Sequence, residues 1–315
     1  MAVPYWCTLK NCPLDWGYLH YQPSVPGNAF MLAAFGILTA PALYFGITHR
    51  VKLFTGCFIV GLLGEVVGYI GRILLHNDPF SKVYFLMYLV CTTIAPTFIA
   101  AAVYLTLARI VVVYGEEISR IRPRTYTLLF SGFDLIALVV QAVGGGMAAV
   151  VVLQWKIDRG TDIMVAGLAV QVFSLVTFIA LCLEYGMRVR KHRDRLSLTH
   201  ANLYNSARFK GFLGALGAAT VLLFIRAVFR VAELSGGFRG KLAQKQVLFM
   251  VLDGAMVLLA CIILTVFHPG LAFSGVWERA SFRWGSRKSD NESVVHHTEM
   301  ESVTHTGKNS VLEIQ

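Results

Sequence analysis

Residues 53–75 read LFTGCFIVGLLGEVVGYIGRILL. A helix needs about 20 mostly apolar residues to cross the hydrocarbon core of a bilayer. This run meets that length and carries two charges, Glu65 and Arg72. A charge at membrane depth is costly and faces the interior of a bundle or a water-filled cavity. Glu65, Tyr69 and Arg72 follow one another at spacings of four and then three residues, so they share one helical face. Gly61, Gly64, Gly68 and Gly71 form an adjoining stripe at which a second helix can approach closely.

Six further runs of the same kind flank this one, at 29–48, 84–113, 126–153, 163–183, 212–232 and 247–267. The expected fold is therefore all-α, a polytopic membrane protein with seven transmembrane helices. Composition agrees. Of 315 residues, 56% are hydrophobic and 15% are charged, against about 25% charged in a soluble domain. No Lys/Arg-led signal peptide opens the chain, so the first apolar segment is expected to stay in the mature protein.

The net charge of +10 does not point to nucleic acid, because the basic residues sit mostly in the loops. One set of loops and the tail carry 17 Lys and Arg, the other set carries 7, and Arg72, Arg109, Arg226 and Arg230 lie within spans. The positive-inside rule places the richer side in the cytoplasm. The amino terminus is then outside and the carboxyl terminus cytoplasmic. Three regions follow: an extracellular segment 1–28, a seven-span domain 29–270, and a cytoplasmic tail 271–315. The tail is rich in Ser, Thr, His and acids and reads as largely disordered. Asn291-Glu292-Ser293 spells a glycosylation sequon on the wrong side of the membrane to be used. Cys7 and Cys12 both lie outside, where a disulfide between them is open to them. Cys57, Cys91, Cys182 and Cys261 fall inside spans as packing residues.

Several functions are argued against by what is missing. All nine His lie in loops, tails or at a span edge, so no intramembrane zinc site is expected. No Lys lies in a span to form a retinal Schiff base. Gly236-Gly237-Phe238-Arg239-Gly240-Lys241 lacks the spacing and the following Ser or Thr of a Walker A loop. Span three ends Arg109-Ile110-Val111 and span seven ends Val266-Phe267-His268-Pro269, without the triplets of common G-protein-coupled receptors. Neither a cofactor nor an enzymatic centre is expected.

The remaining polar groups of the spans are more informative. Span six carries Arg226, Arg230 and Glu233 at the same four-then-three spacing, and span seven carries Asp253. Span four carries Asp134 and Gln141, seven apart and on one face, followed by Gly144-Gly145-Gly146. Three successive glycines predict a kink or local unwinding, and Pro96 predicts a second kink in span three. With the amino terminus outside, Glu65, Tyr69, Arg72, Arg226, Arg230, Glu233 and Asp253 fall in the middle and outer half of the membrane. One expectation is that they line a polar cavity there for an amphiphile's head group. The alternative is that the ions pair completely and leave no room. Asp134 and Arg109 lie nearer the inner side, where anchoring is the expected role. Glu65 and Asp253 are the candidate proton carriers of a chain with no nucleotide site.

In these residues the chain resembles the fungal lipid-translocating exporters, the RTA-like proteins. The resemblance runs from about Tyr21 to Gly270. It begins with Tyr21-x-Pro23-Ser24 and Asn28-x-Phe30 and continues through Glu65-x-x-Gly68-Tyr69-x-x-Arg72 and Ala95-Pro96. Ala101-Ala102-x-Tyr104, Phe130-x-x-x-Asp134 and Gln141-Ala142-x-Gly144-Gly145-Gly146 come next. Gly167-Leu168-x-x-Gln171, Arg226-x-x-x-Arg230-x-x-Glu233, Asp253 and His268-Pro269-Gly270 complete it. The chain departs from the family pattern at Phe229, Gln246 and Met250, where hydroxyls and an acid are usual. The resemblance implies a fungal plasma-membrane or endomembrane protein, the plasma membrane being the expected location, that exports or translocates lipids such as sphingoid bases, or phospholipids, and confers resistance to toxic amphiphiles. Its partners would be membrane lipids or amphiphilic small molecules. Seven spans with an outside amino terminus also suit a sensor of lipids or stress that transports nothing.

Overall fold

A computed structural model describes residues 9, 11–114, 123–150, 154–191, 206–237, 240, 242–273 and 277. Among them there is no strand, and seven helices are long and apolar enough to cross a membrane. The protein is an integral, multi-pass membrane protein.

Helix α1 (Val25–Thr48) starts at Ser24, whose hydroxyl accepts from the Gly27 N–H, with proline in the first turn. Both are strong helix-start signals. A tight turn, with Arg50 at φ 53°, leads into α2 (Lys52–Asn77). Next come α3 (Lys82–Tyr114), α4 (Pro123–Val150) and α5 (Gln154–Lys191). Helix α6 (Ala207–Ser235) is capped by Ser206, which accepts from the Phe209 N–H. The seventh spanning segment, α7, covers Gln246–Ala272. It is α-helical over Gln246–Leu248, π-helical over Phe249–Ala255 and α-helical again over Met256–Val266. It then breaks at Phe267 and His268 and adds the turn Pro269–Ala272.

Successive helices run antiparallel, so the bundle has an amino-terminal face, where α1 begins, and a carboxyl-terminal face, where α7 ends. The most extensive packing is within the α2–α3 and α4–α5 hairpins. The glycine stripe of α2 explains the first. Gly61, Gly64, Gly68 and Gly71 lie against Ile99, Ala95, Thr92 and Tyr88 of α3, each close enough that a side chain on the glycine would collide. The α4–α5 contact uses the same device. Gly144 abuts the backbone of Gly160 and Met164, and Gly167 abuts Gln141 and Ala137. The three successive glycines therefore do not unwind α4, which is helical throughout. The first of them, Gly144, admits the neighbouring backbone.

Helix α3 is central, with 67% of its apolar stretch buried. The bundle exterior is the reverse of a soluble surface: Ile37, Phe173 and Val247 stand at least 70% exposed, as suits contact with acyl chains. Helix α5 exceeds its apolar run. Its 38 residues make about 57 Å of helix, against about 30 Å of hydrocarbon. The excess lies at both ends, and past Leu183 it is polar helix in which Glu184 and Arg188 pair at 3.0 Å one turn apart and Arg190 and Lys191 complement the helix dipole.

At the carboxyl-terminal face the chain beyond α7 turns back over the bundle. Phe273 is fully buried, with its ring centroid 5.4 Å from that of Phe209 and 6.0 Å from that of Phe212. Arg109 donates to the backbone carbonyl of Trp277 and lies over its ring at 4.0 Å. Cys12 is in a disulfide, whereas Cys7 lies outside the described residues. Cys57, Cys91, Cys182 and Cys261 are free thiols. The tail 281–315 with its sequon lies outside the described residues as well.

Candidate functional site

The polar faces of α2, α6 and α7 turn toward one another in the half of the bundle nearer the amino-terminal face. Helix α6 brings Arg226, Arg230 and Glu233, and the π-helical turn of α7 brings Asp253. Arg226 Nε lies 2.8 Å from Asp253 Oδ1, although the N–H does not point along that line, so the contact is an ion pair rather than a directed hydrogen bond. The same guanidinium donates to the Thr92 carbonyl. Arg230 donates to Glu233 Oε2 at 2.7 Å and to Thr93 Oγ1 at 3.0 Å, and its Nε lies 3.7 Å from Asp253 Oδ1. Asp253 thus faces two guanidinium groups.

The α2 face is less satisfied. Arg72 reaches neutral acceptors, Asn28 Oδ1 and the Tyr21 hydroxyl, each at 3.0 Å. It lies over the rings of Phe249 at 3.9 Å and Tyr88 at 4.7 Å, two cation–π contacts with rings that themselves meet edge to face. Glu65 lies within electrostatic reach of Asp253, Arg226 and Arg230 but forms no ion pair among the described residues. Glu65 Oε1, the Tyr69 hydroxyl and Arg72 Nη1 are all buried without a hydrogen-bond partner. Such orphans are rare in native proteins. Tyr69 stacks on Phe35 at 5.8 Å and points its hydroxyl at Gly254. None of these seven residues is more than 3% exposed.

Asp134 and Gln141 belong to a second group, deeper toward the carboxyl-terminal face. The Tyr104 hydroxyl donates to Asp134 Oδ2 at 3.0 Å. Gln141 donates to Gln171 at 3.3 Å, and Gln171 donates to Thr97 at 2.8 Å. A cavity of about 20 Å³ between Arg226, Gln171 and Tyr104 links the two groups. That is about the room one water needs. A file of polar side chains therefore runs through the bundle from Arg72 to Asp134.

Sequence reasoning did not assign Tyr88, Thr92, Thr93 and Phe249 to the site, and it noted Tyr21 and Asn28 without giving them a role. Tyr88 and Thr92 are four apart on α3, the spacing used on α2 and α6, and that was the available signal. Phe249 carried none, because its direction depends on the π-turn.

The family model described as RTA1 like protein matches residues 58–276, a range that includes the whole cluster except Tyr21 and Asn28. The chain is similar to the sphingoid long-chain base transporter RSB1 of Saccharomyces cerevisiae (strain ATCC 204508 / S288c), at 30% identity over 93% of this chain and 83% of the relative. It is similar to protoporphyrin uptake protein 1 of the same yeast strain, at 27% identity over 72% of this chain and 70% of the relative. Protein RTM1 of Saccharomyces cerevisiae is 25% identical over 69% of this chain and 66% of its own. No solved structure matches the chain.

Proposed function

We propose, from the premise that this chain belongs to the RTA1-like family, that it translocates lipids or other amphiphiles between the leaflets of a plasma membrane. Long-chain bases and phospholipids are the substrate types considered, and resistance to toxic amphiphiles would follow from their removal. The amino terminus lies outside and the carboxyl terminus inside, on the strength of the loop charges.

One observation carries the reading. Glu65, Tyr69 and Arg72 place three buried, unpartnered polar atoms on one face, next to Arg226, Arg230, Glu233 and Asp253, which are ion-paired with one another. A head group with an ammonium and hydroxyls complements that face. The ammonium would neutralise Glu65, a hydroxyl would bond Tyr69, and the ion-paired arginines would stay where they are. The similarity to a relative named as a sphingoid long-chain base transporter supports the same chemistry. The substrate's chain would remain among the apolar side chains between helices. Asp134, Gln141 and Gln171 continue the polar file, so a head group leaving Glu65 meets further partners.

Purified protein in liposomes tests this with a fluorescent long-chain base loaded in one leaflet. The protein should accelerate its movement to the other leaflet, and Glu65→Gln should slow that movement at least tenfold at equal protein abundance. If the unaltered protein moves neither this probe nor a labelled phospholipid under any ion gradient, the translocator reading is wrong and a sensing role replaces it.

A further inference from the structure

A second cavity, of about 740 Å³, lies between α3, α5 and α6 toward the carboxyl-terminal face. Its volume is within the range of about 300–1,000 Å³ that holds drug-sized ligands. Its deep part is apolar, with Val103 and Leu107 from α3, Phe178 from α5 and Leu216 from α6. Its rim carries Arg190, from the last turn of α5, and Lys210, from the first turn of α6. Among the described residues no carboxylate lines it. The position of Lys210 is informative. A helix amino terminus already carries partial positive charge, so a cation there is unfavourable. Yet the first turn of α6 holds Lys210 and Arg208 with no acidic residue. The N-terminal amides of α6, Lys210 and Arg190 together make the rim an anion-attracting field over an apolar slot.

We propose that this cavity binds a membrane lipid with a phosphate head. The phosphate sits between Arg190 and Lys210, and one acyl chain lies along Val103, Leu107 and Phe178. Arg190 can hold two phosphate oxygens with its planar fork, while Lys210 acts as a point charge. A free long-chain base has the wrong sign for this rim, so the lipid held here differs from the cationic head group suited to Glu65. The site does not depend on whether the chain transports anything.

Native mass spectrometry of the full chain in detergent, with dioleoyl phosphatidic acid, dioleoyl phosphatidylcholine and a long-chain free base as separate probes, tests the proposal. Phosphatidic acid should be retained at least tenfold more tightly than the other two, and millimolar inorganic phosphate alone should not displace it. Gly217 lines the cavity, and a side chain added there meets open space. Gly217→Trp should therefore fill the slot and abolish retention while the protein stays monodisperse. Arg190→Gln combined with Lys210→Gln should leave a lipid bound but reduce the preference for phosphatidic acid at least tenfold. Unchanged preference in the double variant, displacement by inorganic phosphate, or full retention by Gly217→Trp would each overturn the proposal.

Discussion

Asp253 faces two guanidinium groups, whereas Glu65, on α2, pairs with none among the described residues. The two carboxylates should therefore respond differently to replacement. Asp253→Ala leaves two buried arginines short of a counter-charge, and breaking a buried pair from one side costs about 3–5 kcal/mol. Glu65→Gln removes a charge that no arginine depends on, and its effect on stability should be within about 1 kcal/mol of zero. Thermal unfolding in one detergent should show a large fall in midpoint for the first and little change for the second. In transport Glu65→Gln should be at least tenfold slower although stable. A cationic head also requires Glu65 ionised, so flux through the unaltered protein should fall as the medium is acidified. The residual flux of Glu65→Gln should lose that pH dependence, and a liposome assay over a pH series reads it directly. At this scale the sequence was legible wherever a charge interrupted an apolar run, as at Glu65, Arg72, Arg226 and Asp253. It gave no role to Asn28 or Thr92, because an uncharged polar residue in or beside a span has several ordinary roles and only its neighbours reveal which it plays.

Among the elements, the seven apolar runs were legible from length and hydropathy, since lipid forces every backbone group into a helix. What escaped was determined by contact or register. Gly144-Gly145-Gly146 suggested unwinding, yet α4 stays helical because Gly144 admits the α5 backbone. The two explanations make opposite predictions. Gly144→Leu should cost about 1–3 kcal/mol or more, as overpacking does, because the atoms it meets are backbone and cannot step aside. Gly146→Leu, with nothing within 4 Å of an added Cβ, should fold and express like the unaltered chain. Size-exclusion profiles and melting midpoints of the two variants separate the cases. The π-turn at Phe249–Ala255 escaped for another reason. One extra residue per turn leaves hydropathy unchanged and alters only the direction of side chains. That shift sets where Asp253 and Phe249 point. Deleting Val251 should return α7 to α-helical register, rotate Phe249 off Arg72 and lower the melting midpoint, while deletion of a residue in the loop 242–245 should not.

For the whole molecule, the number of spans and the direction of insertion rest on different information. The first is fixed by apolar length, the second by a charge difference of 17 against 7. An epitope tag in 233–246 should be reached by antibody on intact cells, and a tag after Gly285 should be reached only after permeabilisation. Labelling of the second on intact cells would reverse the orientation and with it the side on which Arg190 and Lys210 open. The chain leaving α7 adds a mechanical consequence. Phe273 is seated against Phe209 and Phe212 of α6, and Trp277 is held by Arg109 of α3. The tail is thus moored to helices other than the one it leaves. A tug on it beyond Trp277 is shared with α3 and α6, which with α5 wall the lipid-sized slot, before the remainder reaches α7 along the chain. A protein that grips the tail would therefore pull on the slot's walls before it strained the buried ion pairs.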